Sequence, residues 1–388
     1  MSLFEFKNVK ISGISVVIPE KEINIYDEAE YYNNSVKKID RMRKMVGFYK
    51  RRVADDTTTA ADLAYDAALN LIKDNNIDKN SIDALVFVVQ QPDVMNPSTA
   101  YFIHDKLGLS KDCIATDINQ GCVGWVFGLF MVSQMIQSGA FKKVLLLNGD
   151  TPSVGVDPSN RNAAPIFGDG GSATLLEYTE KEVKSSYCIE TVSNGFEALV
   201  NPFSGTRFRY THSDEDYELI NRLRKEKVVM PTGMEVPLMG GYMDGVAVFD
   251  FTMNYAPKTI KQILEYNNLT SDDVPYLCLH QANKQIVQTV GSASGFPIEK
   301  VPYSAFETYG NNTMCSIPTT LAMLPKETDM AKTCCCAFGN GLVSIASILD
   351  LSGTQINEIK TFNKPSYILS RDEYIDYWRN KIKGEDNE

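Results

Sequence analysis

Histidine is scarce in this 388-residue chain, with three residues, His104, His212 and His280. So few histidines cannot build a His-rich metal site, and no bound metal is expected. Cysteine is better represented, at eight. No CxxC pair occurs, however, and Cys334, Cys335 and Cys336 are adjacent, a pattern that fits neither a zinc ribbon nor a disulfide framework. Positive charge is in the minority, 38 Lys plus Arg against 49 Asp plus Glu, for a net charge of −11. A general nucleic-acid binder needs a basic footprint to replace phosphate counterions, so that class is excluded. The most apolar stretch, Gly121 to Val132, falls short of the ~20 residues that span a bilayer. The opening MSLFEFKNVK lacks the apolar segment of a signal peptide. The expectation is a cytoplasmic, reduced protein with no membrane span.

What is present points to a large core. Hydrophobic residues make up 44% of the chain and charged residues 22%, which is a globular balance. The length suggests two domains or one pseudo-symmetric unit.

An internal repeat supports the second option. The segment Asn75 to Phe87 lies over Asn267 to Leu279 without a gap, at an offset of 192 positions. Each copy follows a helical pattern (Ala61 to Lys73, Pro257 to Glu265) and ends in an apolar strand (Ala84 to Val89, Tyr276 to Leu279). Helix, turn and buried strand repeated in this way predict two α/β halves with mostly parallel strands. A second pair, Val144–Leu147 and Thr333–Cys336, keeps a separation of 189. At that separation Cys122 falls on Asn311, which predicts matching strand-to-helix junctions, where α/β chemistry gathers. The expected organisation is a first half over 1–180, a connecting region over 181–255 with an insertion at 194–241, a second half over 256–350, and a tail over 351–388. Within the tail, Ser370 and Glu373 have capping-box spacing. Ile375, Trp378 and Ile382 share one helical face there, expected to dock on the body or a partner.

Three residues carry the candidate chemistry. Cys122 stands in Gly121-Cys122-Val123-Gly124, ahead of an apolar helix from Trp125 to Ile136. A lone cysteine ordinarily fills core as a small hydrophobe. Here the flanking glycines free the backbone to crowd a ligand, and a helix N-terminus is expected to lower the thiol pKa. His280 closes an apolar strand at a position held by Val88 in the first copy. Asn311 follows Tyr309-Gly310, where an asparagine usually marks only a turn. Together they offer a nucleophile and two donors able to hold an oxyanion. Two glycine segments, Phe167-Gly168-Asp169-Gly170 and Phe338-Gly339-Asn340-Gly341, are neither a P-loop nor a dinucleotide fingerprint and predict tight turns.

These segments, in this order, resemble β-ketoacyl-acyl-carrier-protein synthase III and its thiolase-fold relatives, from about Ile11 to Leu349. The pieces that carry the resemblance are Gly121-Cys122-x-Gly124, Phe167-Gly168-Asp169-Gly170, His280-Gln281-Ala282-Asn283, Tyr309-Gly310-Asn311 and Phe338-Gly339-x-Gly341. The resemblance implies a thiolase-like five-layered αβαβα fold with two pseudo-symmetric halves, a homodimer, and no permanently bound cofactor. It implies that Cys122 takes an acyl group from acyl-CoA. His280 and Asn311 would then stabilise the enolate left by decarboxylation of a malonyl thioester carried by CoA or an acyl carrier protein. The backbone N–H groups of Cys122 and Asn340 would form the acyl-side oxyanion hole.

Substrate-binding positions carried over in the same way are Arg161 and Arg41, at an Arg and a Trp that flank adenine in relatives. Asn283 and Lys284 follow His280, and Asn96 stands at a position bordering the acyl pocket across the dimer. The alternative within this resemblance is transfer of the acyl group from Cys122 to an alcohol or amine in a secondary-metabolite or surface-glycan pathway. A third reading is an inert partner subunit.

Overall fold

Apolar runs from both copies of the repeat become the strands of two sheets. The computed structural model describes residues 1–384 except 159, 162, 209, 210, 231, 232 and 234. The strands used below are β1 (Ser2–Phe6), β2 (Val9–Ile18), β3 (Ala84–Val89), β4 (Ile114–Ile118), β5 (Lys143–Asp150), β6 (Gly170–Tyr178), β7 (Ser185–Thr191), β8 (Leu277–Leu279), β9 (Thr333–Gly339), β10 (Val343–Leu349), β11 (Gln355–Ile356) and β12 (Lys360–Thr361). The helices are α1 (Val36–Val46), α2 (Ala60–Asp74), α3 (Thr99–Leu107), α4 (Gly124–Gln137), α5 (Asp214–Lys225), α6 (Gly245–Tyr266), α7 (Lys284–Ala293), α8 (Ser304–Tyr309), α9 (Ser316–Ala322) and α10 (Arg371–Lys383).

The first sheet runs β11-β2-β6-β5-β3-β4, with β12 also on β2, and the second runs β1-β7-β10-β9-β8. The two share one pairing scheme. β5 is parallel to β3 as β9 is parallel to β8, while β6 and β10 run antiparallel to both neighbours. The sheets are therefore mixed, not mostly parallel. The repeat turn is the same in both copies, with Asn76 at φ 51° and Asn268 at φ 53°. Asparagine tolerates this left-handed region because its short amide compensates locally.

Five layers result. α4 and α9 lie between the sheets in a core that includes Val88, Leu146, Trp125, Leu129, Ile317 and Ile345. α2 and α3 cover the outer face of the first sheet, and α6 and α7 that of the second. Gly149 and Gly171 stand opposite each other in register on β5 and β6. A Cβ on either would lie 2.3 Å from backbone atoms of Ala60 or Leu63, so the missing side chains let α2 rest directly on the strands.

Several expected boundaries move. The second helix of the repeat begins at Gly245, with Pro257 inside it, so the border at 255/256 falls within α6. The second sheet already begins at β7, and it takes β1 from the first residues of the chain. The tail is no separate unit, because β11 and β12 pair with β2 and Tyr367 donates to Asp62 at 3.0 Å. The expected capping box of Ser370 and Glu373 starts α10. Ile375, Trp378 and Ile382 are nonetheless exposed, so this helix does not dock on the body. Among the described residues of 194–241, the regular structure is a 3-10 turn ending at Ala198, Leu199–Val200 paired with Tyr242–Met243, α5 and a short hairpin.

Candidate active site

Cys122 lies between β4 and α4, two residues ahead of the first helical position. α4 is apolar on nearly all sides and buried for most of its length, so the residue before it is fixed at the seam between the sheets. The residue keeps a partly exposed surface, but its thiol is densely surrounded. Its Sγ lies 3.7 Å from Asn340 Oδ1. Gly339, the last residue of β9, faces it closely, since a Cβ there would come 2.8 Å from Cys122 Cβ and 3.2 Å from Sγ.

The thiol pKa runs against the expectation of a lowered value. Burial pushes it up to about 12, and the negative charge of Asp150 adds to the rise. The backbone N–H groups of Cys122 and Asn340 pull it down without prevailing. Dehydration of a thiolate outweighs the partial charge of a helix end that Val123 and Gly124 hold one step away.

His280 follows β8, and its backbone N–H donates to Cys336 at 2.9 Å, extending the pairing of β8 with β9. The buried ring packs edge-on to Phe338 at 5.6 Å, next to Gly339 and hence to the thiol. Its Nδ1 lies 2.9 Å from Ser316 Oγ at the start of α9. Burial lowers its pKa to about 4, against a backbone hydrogen bond with Thr313. The imidazole is neutral at physiological pH, so it can donate one hydrogen bond and is a weak base.

Asn311 is not at a strand-to-helix junction. The segment that matches β4 is the short helix α8, whose Phe306 is buried with Ile25, Tyr32, Ile39 and Phe48 instead of in a sheet. Gly310 at φ 79° ends this helix. Asn311 then bridges to Phe167, donating to Ile166 at 2.8 Å and accepting from Gly168 at 3.1 Å. Its Oδ1 accepts the Thr313 backbone N–H at 2.9 Å, which leaves the amide Nδ2 as the free donor.

His280 and Asn311 therefore meet at one residue, Thr313. Its hydroxyl donates to Asp150 Oδ2 at 2.7 Å. Asp150 ends β5 and is buried; burial and the charge of Asp169 raise its pKa to about 7, against the Thr313 hydroxyl and a Thr151 backbone bond. Asp150, Thr313 and Ser316 were not among the expected site residues. A charged residue closing the apolar run Val144–Leu147-Asn-Gly is the one signal that could have found Asp150.

The carried-over binding residues lie on the surrounding elements. Arg161 is held inside the chain, bonded to Glu28 at 2.8 Å, the Tyr32 hydroxyl at 2.9 Å and the Pro158 carbonyl at 2.9 Å. Its guanidinium also stacks 4.8 Å from the ring centroids of both Tyr31 and Tyr32. Glu28 takes Arg51 bidentately as well. Arg41 is exposed on α1. Lys284 opens α7, with Nζ 4.8 Å from the Tyr303 ring and Cβ against Gly47 at the end of α1. Asn283 caps α7 by accepting the Ile286 N–H at 2.8 Å. Asn96 is exposed in the loop after β3. No metal-binding group of three or more His, Cys, Asp or Glu occurs among the described residues. No described helix is long and apolar enough to cross a membrane.

A duplicated αβαβα architecture with a cysteine, a neutral histidine and an oriented asparagine at its seam places the chain in the thiolase-like class. Comparison with known proteins narrows the class. The family model for 3-oxoacyl-[acyl-carrier-protein (ACP)] synthase III matches residues 116–195, and its C-terminal companion matches 264–351. A Campylobacter jejuni protein provisionally named 3-oxoacyl-[acyl-carrier-protein] synthase 3 is 37% identical over 364 residues, covering 92% of this chain and 98% of its own. A β-ketoacyl-[acyl-carrier-protein] synthase III from Streptococcus gordonii is 29% identical over 341 residues, covering 87% and 97%. The crystal structure of a 3-oxoacyl-(acyl-carrier protein) synthase from Burkholderia xenovorans superposes with a TM-score of 0.82 at 28% identity, covering 93% of this chain and 99% of that one. The chain belongs to the β-ketoacyl-acyl-carrier-protein synthase III family and is an acyltransferase.

Proposed function

We propose that this enzyme joins an acyl group to a malonyl unit by decarboxylative Claisen condensation. The supporting observation is the convergence of His280 and Asn311 on Thr313, beside a thiol flanked by the Asn340 and Cys122 backbone N–H groups. Cys122 attacks the thioester carbon of acyl-CoA and the thiol proton leaves with the departing CoA. The developing oxyanion is met by those two N–H groups, which are fixed before substrate arrives.

A malonyl thioester, on CoA or an acyl carrier protein, then places its carbonyl against His280 and Asn311 Nδ2. Loss of carbon dioxide leaves an enolate held by these neutral donors. The carbanion attacks the Cys122 thioester, forming the new carbon–carbon bond and releasing the thiolate, which regains a proton. A neutral donor suits this task, because it does not protonate the enolate carbon on the way. The same weak basicity argues against His280 as general base for transfer to an alcohol or amine.

Intact-protein mass spectrometry with a panel of acyl-CoAs tests the reading. Adducts are expected on wild type and not on Cys122→Ala, cleared by malonyl-CoA or malonyl carrier protein with release of carbon dioxide. His280→Ala should keep much of the adduct and lose the clearing step. Adducts that ignore every malonyl donor would contradict condensation.

A further inference from the structure

The nucleophile and the two donors come from different halves of the molecule. Cys122 follows β4 in the first sheet, whereas His280 and Asn311 belong to the second half. Contacts that cross between the halves at the site set their relative placement, and Asn311 already bonds Ile166 and Gly168 of the first half through its backbone. Asp150 and Thr313 make another. Asp150 terminates β5, a strand paired on both sides, with β3 and with β6 up to Gly170. A carboxylate there has little freedom to move. Thr313 lies in the loop between Asn311 and α9, at φ 48°. A β-branched residue avoids this left-handed region, so the conformation persists only where surrounding bonds impose it.

Three bonds do so. The Thr313 hydroxyl is anchored on Asp150 Oδ2 at 2.7 Å, its N–H serves Asn311 Oδ1 at 2.9 Å, and its backbone also bonds the His280 ring. The first of these bonds is the one that leaves the second half. We infer that Asp150 is a positioning residue for the condensation step: through Thr313 it fixes His280 and Asn311 at their working distance from Cys122 without touching substrate. The inference rests on the condensing role proposed above for those three residues.

The carbonyl of the malonyl thioester must be met by two donors at once, so a loop free to relax by a fraction of an ångström weakens both together. Acylation of Cys122 uses neither donor. The clamp therefore acts on one half-reaction and spares the other, a selectivity that a general packing role does not have.

Two rates separate these cases in the full-length enzyme: Cys122 acylation by acyl-CoA followed by mass, and carbon dioxide release from malonyl-CoA and from malonyl carrier protein. Thr313→Val and Asp150→Ala should cut carbon dioxide release by about 10- to 100-fold, the scale of a lost buried hydrogen bond expressed in a transition state. In Thr313→Val acylation should stay within about threefold, while Asp150→Ala, which also removes the charge that raises the Cys122 thiol pKa, should acylate no more slowly than wild type. Thr313→Ser, which keeps the hydroxyl, should recover most of the lost rate. Melting curves identify any variant that fails to fold, and Thr313→Ser against Thr313→Val remains decisive if Asp150→Ala does. Equal loss of both half-reactions, or unchanged carbon dioxide release in Thr313→Val, would overturn the clamp. If wild type itself releases no carbon dioxide from malonyl donors, it is the condensing role that fails.

Discussion

Gly339 presses its backbone against Cys122 so closely that a Cβ there would sit 2.8 Å from the cysteine Cβ and 3.2 Å from its Sγ. Gly339→Ala should push the thiol away from the Asn340 and Cys122 N–H groups. A displacement on the order of 1 Å at reacting atoms costs about 100-fold in rate. Loss of acyl adduct on that scale, with a melting temperature close to wild type, is the expected result. Normal acylation would mean that the loop gives way more easily than the contact implies.

The raised thiol pKa has a direct readout. Because the free thiol titrates near 12, alkylation of Cys122 by iodoacetamide should climb about tenfold per pH unit from pH 7.5 to 10. Intact mass with Cys122→Ala as the blank isolates this residue from the seven buried cysteines. A rate that levels off near pH 8 would show a thiolate already formed in the resting enzyme.

Ser316 holds His280 Nδ1 at 2.9 Å and so fixes which ring nitrogen faces the substrate. Ser316→Ala should lower condensation about tenfold, one hydrogen bond's worth, with the acylation step kept. Unaltered condensation would show that the Thr313 backbone and Phe338 alone orient the ring.

Asp150 couples stability to pH. Its pKa rises from an ordinary 3.8 to about 7 on folding, so its contribution is fully present below 3.8 and is lost as pH climbs through about 7. Asp150→Asn imitates the protonated form. Its melting temperature should match wild type near pH 4 and exceed it at pH 8 by about 2–5 °C. Parallel pH profiles for the two proteins would contradict an ionising Asp150.

Much of this is legible in the sequence alone. The duplicated Asn-Asn turn marks a rule of local backbone chemistry, and Asn76 and Asn268 obey it with nearly equal dihedrals. The run Ala84 to Val89 reads as a buried strand because each side chain is apolar, and β3 has those bounds. Asn311, matched to Cys122 in the sequence, follows a short helix and not a strand. α8 replaces a strand because Phe306 finds a pocket under α1, a tertiary fact that no local pattern carries. The lowered thiol pKa expected from the sequence fails for the same reason, since a helix end is visible in sequence and the depth of burial is not. Asp150 and Thr313 are not legible there because each is ordinary alone and informative only as a pair across the seam.

The two ends of the chain trade places. β1 completes the sheet of the second half by pairing with β7, and β11 and β12 extend the first sheet by lying along β2, with Gln355 beside Gly13. Neither half is thus finished until residues from the opposite terminus arrive. Such pairings are the most distant in sequence and carry the largest loop-closure entropy, so they belong to the late, slow part of folding. Until β11 and β12 pair with it, β2 stays exposed along one edge. The molecule is consequently a single cooperative unit despite its doubled architecture, and cutting it between the halves should yield two fragments that fold only in each other's company.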